Sequence, residues 1–267
     1  MMEDMGGQPG LFILSCSPRC GGNSDTAAQV FLESWARFGM EQPPESNEPG
    51  GMKCPVQRIS GMQKEQPPPS PRWEQNSETS IQLAYLREHH VAPCVACGGC
   101  MRFAQQNTGA TLELTPECAD GRGLYLGCPL SAKDESSILL RALAGAGSLA
   151  LVSPVYFYHL PAQLKALVDR TQPFWELQQR RAAGHAEKKR FCHVILLGAR
   201  SKGDKLFEGS LLSLRYALAP LGVILPEPLL LYGLEKPADL SFNAAYKSRI
   251  AEYAENAARM PCSSLTG

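Results

Sequence analysis

Short apolar runs alternate with longer segments whose apolar positions recur every three to four residues. Leu11 to Ser15 is an apolar run that ends in a Ser/Gly/Pro-rich turn, as a buried strand does. Asn23, Ser24 and Asp25 then offer helix caps, and Ala27, Phe31, Trp35 and Phe38 form one helical face. Ile81, Leu83 and Tyr85 alternate as a second strand, and Ser148 to Ser153 reads as a third. Between them, Ser131 and Asp134 are spaced as a capping box for a helix carrying Ile138, Leu139, Ala142 and Leu143. A further helix starts near Pro161 and buries Leu164, Leu167 and Val168. Phe191 to Leu197 is a fourth strand, followed by a helix through Phe207, Leu211, Leu214 and Leu218. Val223 to Leu231 is a fifth, confined to an edge by Pro226 and Pro228, and a last helix runs from about Asp239 to Arg259. Strands that alternate with helices predict a five-stranded, doubly wound parallel sheet covered on both faces, with ligands at the carboxyl ends of the strands.

Two stretches break this rhythm. From 39 to 77 eight prolines lie among Glu, Gln, Ser and Gly, so little apolar surface is available to offset the entropy of ordering. We read it as a mobile Pro-rich insertion. From 94 to 128 cysteines concentrate, and we read that stretch as a second insertion within a single domain spanning residues 1–267.

Composition narrows the function. The chain has 267 residues, 44% hydrophobic and 19% charged, enough for a sizeable core. Its 26 Lys and Arg balance 26 Asp and Glu, so no overall field points to nucleic acid. The N-terminal residues lack the positive charge and long apolar run of a secretory signal, and no stretch approaches the ~18 apolar residues of a membrane span. These features lead us to expect a soluble, cytoplasmic protein. In that compartment ten cysteines suit metal or redox chemistry better than a disulfide framework.

Two constellations carry chemistry. The loop SCSPRCGGNSDT, residues 15 to 26, joins the first strand to the first helix. Small residues let backbone N–H groups approach an anion, and the helix adds its positive end, an arrangement suited to phosphate. Ser15, Ser17, Asn23 and Ser24 offer further donors and Arg19 a charged one. The loop matches neither the GxxxxGK[ST] nor the GxGxxG pattern, which argues against ATP and a Rossmann-type NAD site. The second constellation is Cys94, Cys97 and Cys100, spaced C-x2-C-x2-C, with a remote Cys128-Pro129, the pattern of ferredoxin-type clusters. Cys118 competes with Cys128 as the fourth ligand, and four thiolates also suit zinc. The histidines show no ligand spacing.

SPRCGGNSDT resembles the phosphate loop of the NAD(P)H-dependent FMN reductases and iron–sulfur flavoproteins, and SPVYFYHLPAQLKALVDRT at 153 to 171 resembles their flavin-facing stretch. A third likeness lies in YLREHHVAPCVACGGC. The resemblance implies a flavodoxin-like fold and FMN as cofactor. Ser17, Arg19, Asn23 and Ser24 would then hold its phosphate, Pro154, Val155, Tyr156 and Phe157 would line its ring, and Gly198 to Ser201 would make a third contact. Cys94, Cys97, Cys100 and Cys128 would hold a 4Fe–4S cluster that exchanges electrons with FMN. CPLSAKDE keeps the family's context after the last ligand, although 27 residues separate Cys100 from Cys128. The family's donors include NAD(P)H and ferredoxin, and its members often form homo-oligomers. Two other readings stand beside this one: a cluster-free NAD(P)H-dependent FMN or quinone reductase, and a non-enzymatic binding protein of the same fold.

Overall fold

The computed structural model describes residues 10–41, 56–59, 81–107, 127–180 and 189–260. Its strands form one parallel sheet. The five expected strands are present as β1 (Leu11–Ser15), β3 (Ile81–Tyr85), β4 (Ser148–Pro154), β5 (Arg190–Leu197) and a split fifth, β6 (Val223–Ile224) and β7 (Leu229–Leu231). Both pieces of the fifth pair with β5, and the gap between them holds Pro226 and Pro228.

One further strand, β2 (Val56–Ile59), lies in the Pro-rich stretch and pairs with β3 at the opposite edge, Val56 beside Ile81 and Ile59 beside Ala84. The expectation of an insertion without regular structure therefore fails at these four residues. Val56 and Ile59 are β-formers beside the outer edge of β3, whose other edge pairs with β1, and backbone pairing at an edge does not need a core of its own. The rest of 42–80 lies outside the described residues.

The spatial order is β2-β3-β1-β4-β5-β6. Without the added edge strand, the chain runs outward from β1 on one side to β3 and on the other to β4 and β5. That reversal places a switch point beside β1, where doubly wound sheets bind ligands.

Period-two alternation assigns the two faces. Phe12, Leu14, Leu149, Leu151, Val194 and Leu196 enter one core, covered by α3 (Ser136–Gly145), α4 (Ala162–Asp169) and α6 (Glu208–Leu218). Leu11, Ile13, Ala150, Val152, Ile195 and Leu197 enter the other, covered by α1 (Asn23–Glu41) and α7 (Ala244–Ala258), which pack on each other. His193 joins this second face, among Phe31, Trp35, Phe191 and Tyr253 at ring separations of 6.0–6.5 Å. Among the described residues no helix is long and apolar enough to cross a membrane.

Two local expectations shift. The helix expected at Ser131 begins at Ser136, because a 3-10 turn from Pro129 to Ala132 comes first. Asp134 takes the capping role, its Oδ1 accepting from the N–H of Ser136 at 3.0 Å. The Cys-rich stretch contains a helix, α2 (Gly99–Gln106), which packs against α5 (Gln172–Gln178).

A buried ion pair ties these parts together. Arg170, at the end of α4, has its Nη2 3.3 Å from Asp134 Oδ1 and donates to Ser131 Oγ (3.1 Å) and Ser136 Oγ (3.0 Å). The N–H of Ala92 donates to Asp134 Oδ2 at 2.9 Å, so the segment leading to the cysteines hangs on the same carboxylate.

Candidate functional site

β1, β4 and β5 are neighbours, and their carboxyl ends lie level: Ser15 is opposite Val152, and Pro154 opposite Leu197. The loops that follow them therefore share one edge of the molecule. With the last residues of β1 and β4 and the start of α1, they carry the three groups of residues singled out in the sequence: Ser15, Ser17, Arg19, Asn23 and Ser24; Pro154, Val155, Tyr156 and Phe157; and Gly198 and Ser201.

The loop after β1 turns on Gly21, whose φ of +66° puts it in the left-handed region open to glycine. Ser17 Oγ accepts the N–H of Arg19 at 3.1 Å, which tightens the start of the loop. Asp25 closes its end. One carboxylate oxygen accepts from Gly21 N–H (2.8 Å), and the other from Ser15 Oγ (2.8 Å) and Arg87 Nη1 (2.9 Å). Among the described residues no acceptor meets the N–H of Cys20, Gly22, Asn23 or Ser24. Unpartnered amides at the start of a 19-residue helix, with Arg19 exposed beside them, suit a phosphate.

Asn23 is positioned differently from the expectation that it donates to an anion. Its Nδ2 donates to Lys236 O at 2.8 Å and its Oδ1 accepts from Leu240 N at 2.9 Å. Both ends of the amide are spent clamping the first loop to the segment between β7 and α7, which leaves its backbone N–H for a ligand. Cys16 is buried, and burial pushes its thiol well above the ordinary range, so it packs as a small apolar residue.

After β4 the chain makes a tight hairpin. Tyr156 and His159 exchange two backbone hydrogen bonds of 3.0 Å, and Phe157 and Tyr158 between them have φ of +50° and +64°. Glycine and asparagine normally fill such positions, so two bulky aromatics there store strain. The turn holds Phe157 entirely in solvent, 101% exposed. Tyr158 is tied to the loop after β5, its Oη accepting from Arg200 Nη1 at 2.5 Å. His159 Nδ1 accepts from Leu160 N at 2.9 Å, which leaves the proton on Nε2 to be given to Ser213 Oγ, 3.0 Å away. The Val155 and Tyr156 amides are used within the protein, on Leu197 O and His159 O, so the amides open to a ligand are those of Phe157 and Tyr158. Relieving the strain has a measurable consequence: Phe157→Gly should raise folding stability by roughly 0.5–1 kcal/mol. Urea unfolding checks this, and a loss of stability would mean the ring makes a contact worth more than the strain.

The cysteines do not assemble as expected. Among the described residues no group of three or more His, Cys, Asp or Glu side chains is arranged to hold a metal ion. Cys94 and Cys97 are exposed, Cys128 is buried, and Cys100 lies in the first turn of α2. Cys118 lies outside the described residues. Gly99 explains how close the two halves come: a Cβ there would lie 2.5 Å from the Pro129 ring, so Cys128-Pro129 does dock on the CGGC turn. Docking, however, is not convergence of four thiolates on one point. Burial pushes the Cys100 thiol above its ordinary range. Ala92 is anchored at the C-terminal end of α4, which begins just after the aromatic hairpin and runs about 12 Å away from it over its eight residues.

Arg87 was not singled out in the sequence, and no local signal marks it. It lies just beyond β3, 62 residues from its partner Asp25. Its guanidinium stacks 4.4 Å from the centre of the Tyr85 ring and reaches Arg19 O at 3.4 Å.

Strand order, crossover helices and level loops define a doubly wound α/β protein of the flavodoxin-like class. No protein-family model matches the chain, and no curated protein matches it in sequence. Similarity is found among solved structures. An azoreductase from Bacillus anthracis str. Sterne superposes with a TM-score of 0.51 at 12% identity, over 94% of this chain and 99% of that one. A flavone reductase gives 0.52 at 8% identity, over 93% and 61%. RosB, solved with the bound intermediate 8-demethyl-8-formylriboflavin-5'-phosphate, gives 0.51 at 10% identity, over 95% and 80%.

Proposed function

We propose that this protein is an FMN-dependent NAD(P)H oxidoreductase, a reductase of quinone-like or other aromatic acceptors, that operates without an iron–sulfur cluster. The observation that carries the reading is the shared edge of three neighbouring strands. A loop of free amides with Arg19 stands at one side of it, and a strained aromatic hairpin tied to Arg200 at the other. An anion and an aromatic ring joined by a short polar chain match those two ends, and FMN has that form. Reductases and a flavin-phosphate protein among the structural neighbours point the same way.

FMN, when bound, supplies the hydride and electron chemistry, so the side chains need only bind, orient and shield it. The amides of Cys20, Gly22, Asn23 and Ser24, with Arg19 and Ser17, would hold the phosphate. Pro154 and Val155 would flank the ring, Phe157 would lie near its face, and the Phe157 and Tyr158 amides would meet its polar edge. Gly198 and Ser201 would close the third side. The cysteine stretch then serves the fold, through Ala92 and the Gly99–Pro129 contact, and carries no electrons. A homo-oligomer would shield the exposed Phe157 in the bound state.

The test is FMN titration of the flavin-free protein, followed by anaerobic reduction with NADPH or NADH and reoxidation by a quinone. We expect stoichiometric FMN, reduction by a nicotinamide and no iron in protein purified without oxygen. Ser17→Ala with Arg19→Ala should weaken FMN about 100-fold, from one charge-assisted and one neutral hydrogen bond. Protein that takes up no flavin would end this reading, and stoichiometric iron and sulfide would restore the cluster.

A further inference from the structure

Asp25 is a carboxylate inside a loop suited to an anion. Gly21 N–H, Ser15 Oγ and Arg87 Nη1 all donate to it within 2.9 Å. Two of these donors belong to the loop or the strand that feeds it. The third comes from a different element and reaches the loop at two further points, Arg19 O at 3.4 Å and Cys20 Sγ at 3.7 Å. The Arg87 side chain is 13% exposed and that of Asp25 12%, so little solvent screens the pair. Stacking on Tyr85 limits where the guanidinium can move without limiting which anion it serves.

A helix-start carboxylate that staples its own loop needs only the Gly21 and Ser15 bonds. An arginine delivered to the same carboxylate from beyond β3 adds a charge that the staple does not require. Arg87 has further N–H groups beside Cys20, the residue whose own amide is free. We propose that Arg87 sets the preference of this loop for a phosphorylated flavin over its unphosphorylated form, and that Asp25 tempers that preference by sharing the guanidinium. The inference rests on the flavin reading above and assigns within it a specificity-determining pair. Without Arg87 the Asp25 charge would offset most of what Arg19 and the helix end offer, and a phosphate dianion would meet little net positive charge. With it, the carboxylate is neutralised and donors remain for the phosphate.

The experiment compares dissociation constants of FMN and riboflavin, by quenching of flavin fluorescence, for the wild type, Arg87→Gln, Arg87→Lys and Asp25→Asn. Circular dichroism of each variant establishes that it folds. Arg87→Gln should weaken FMN at least tenfold and leave riboflavin within twofold, and Arg87→Lys should recover part of the loss. Asp25→Asn should raise the FMN-to-riboflavin preference several-fold, because it frees the guanidinium and removes the competing charge. Equal losses for both flavins in Arg87→Gln would make Arg87 a structural residue and overturn the proposal, as would a fall in preference in Asp25→Asn. A wild type that binds both flavins equally well would overturn this inference while leaving the flavin reading intact. A wild type that binds neither would remove both.

Discussion

Replacing Arg170 by alanine should destabilise the protein by roughly 3–5 kcal/mol, the cost of leaving a buried charge without its partner. Asp134 and Arg170 have side chains 1% and 0% exposed, so neither can recover its lost interactions from water. Asp134 Oδ1 would keep only the Ser136 N–H and hydroxyl, and the guanidinium's volume would become a void among Ser131, Ser136 and Ala92. In a domain of this size the change corresponds to a fall in Tm of about 10 °C. Arg170→Lys should recover little of it, since an ammonium cannot serve the two serine hydroxyls, the carboxylate and the Ala92 carbonyl from a planar fork. Arg170→Met combined with Asp134→Asn should be milder than Arg170→Ala alone, because it removes both charges and fills the space. Urea unfolding of the three variants checks this order. A variant Arg170→Ala within 1 kcal/mol of wild type would show that water reaches the pair.

The second large effect is a pH dependence. His193 lies among Phe31, Trp35, Phe191 and Tyr253, and burial lowers its pKa from 6.5 to about 4. Its Nε2 has no hydrogen-bond partner among the described residues. Above pH 6.5 the ring is neutral in both the folded and unfolded chain, so stability does not depend on it. Between 6.5 and 4 the unfolded chain binds a proton that the folded protein refuses, and stability falls as pH falls. The slope approaches ~1.4 kcal/mol per pH unit and the total reaches about 3 kcal/mol. His193→Leu should remove that component. Unfolding free energies at pH 7 and 4.5 should differ by about 2–3 kcal/mol less in the variant than in the wild type. The same difference in both proteins would show that His193 is protonated inside the fold.

The sheet was largely legible from the chain because its signals are local. Leu11–Ser15, Ser148–Ser153 and Phe191–Leu197 are apolar runs that can be buried only between two helical layers, and all three became central strands. Pro226 and Pro228 announced the broken edge. Strand β2 was not legible, because its four residues sit in a polar, Pro-rich setting and gain order only from β3. Helix α2 was hidden for a related reason: Gly98 and Gly99 read as a loop, yet Gly98, at φ +69°, serves as the cap that starts the helix.

The gathering of site loops followed from the sequence as well, since loops after consecutive parallel strands share one edge by geometry. What each side chain does there did not follow. Asn23 and Asp25 have the composition of anion donors and helix caps, and only the folded chain spends Asn23 on Lys236 and Leu240 and Asp25 on Arg87. The cysteine spacing matched a cluster motif, but spacing restricts how close thiols can come without making them converge. Convergence depends on how 94–107 and 127–132 dock, and that docking is governed by Arg170, Asp134 and Pro129. By itself, then, the sequence determined the layers, the strand polarity and the edge that carries the loops, because hydrophobic periodicity and backbone geometry act over a few residues. Only the tertiary structure decided the partners of Arg87, Asn23 and Arg170. Those are contacts between residues 34 to 217 positions apart, set by packing that no local pattern encodes.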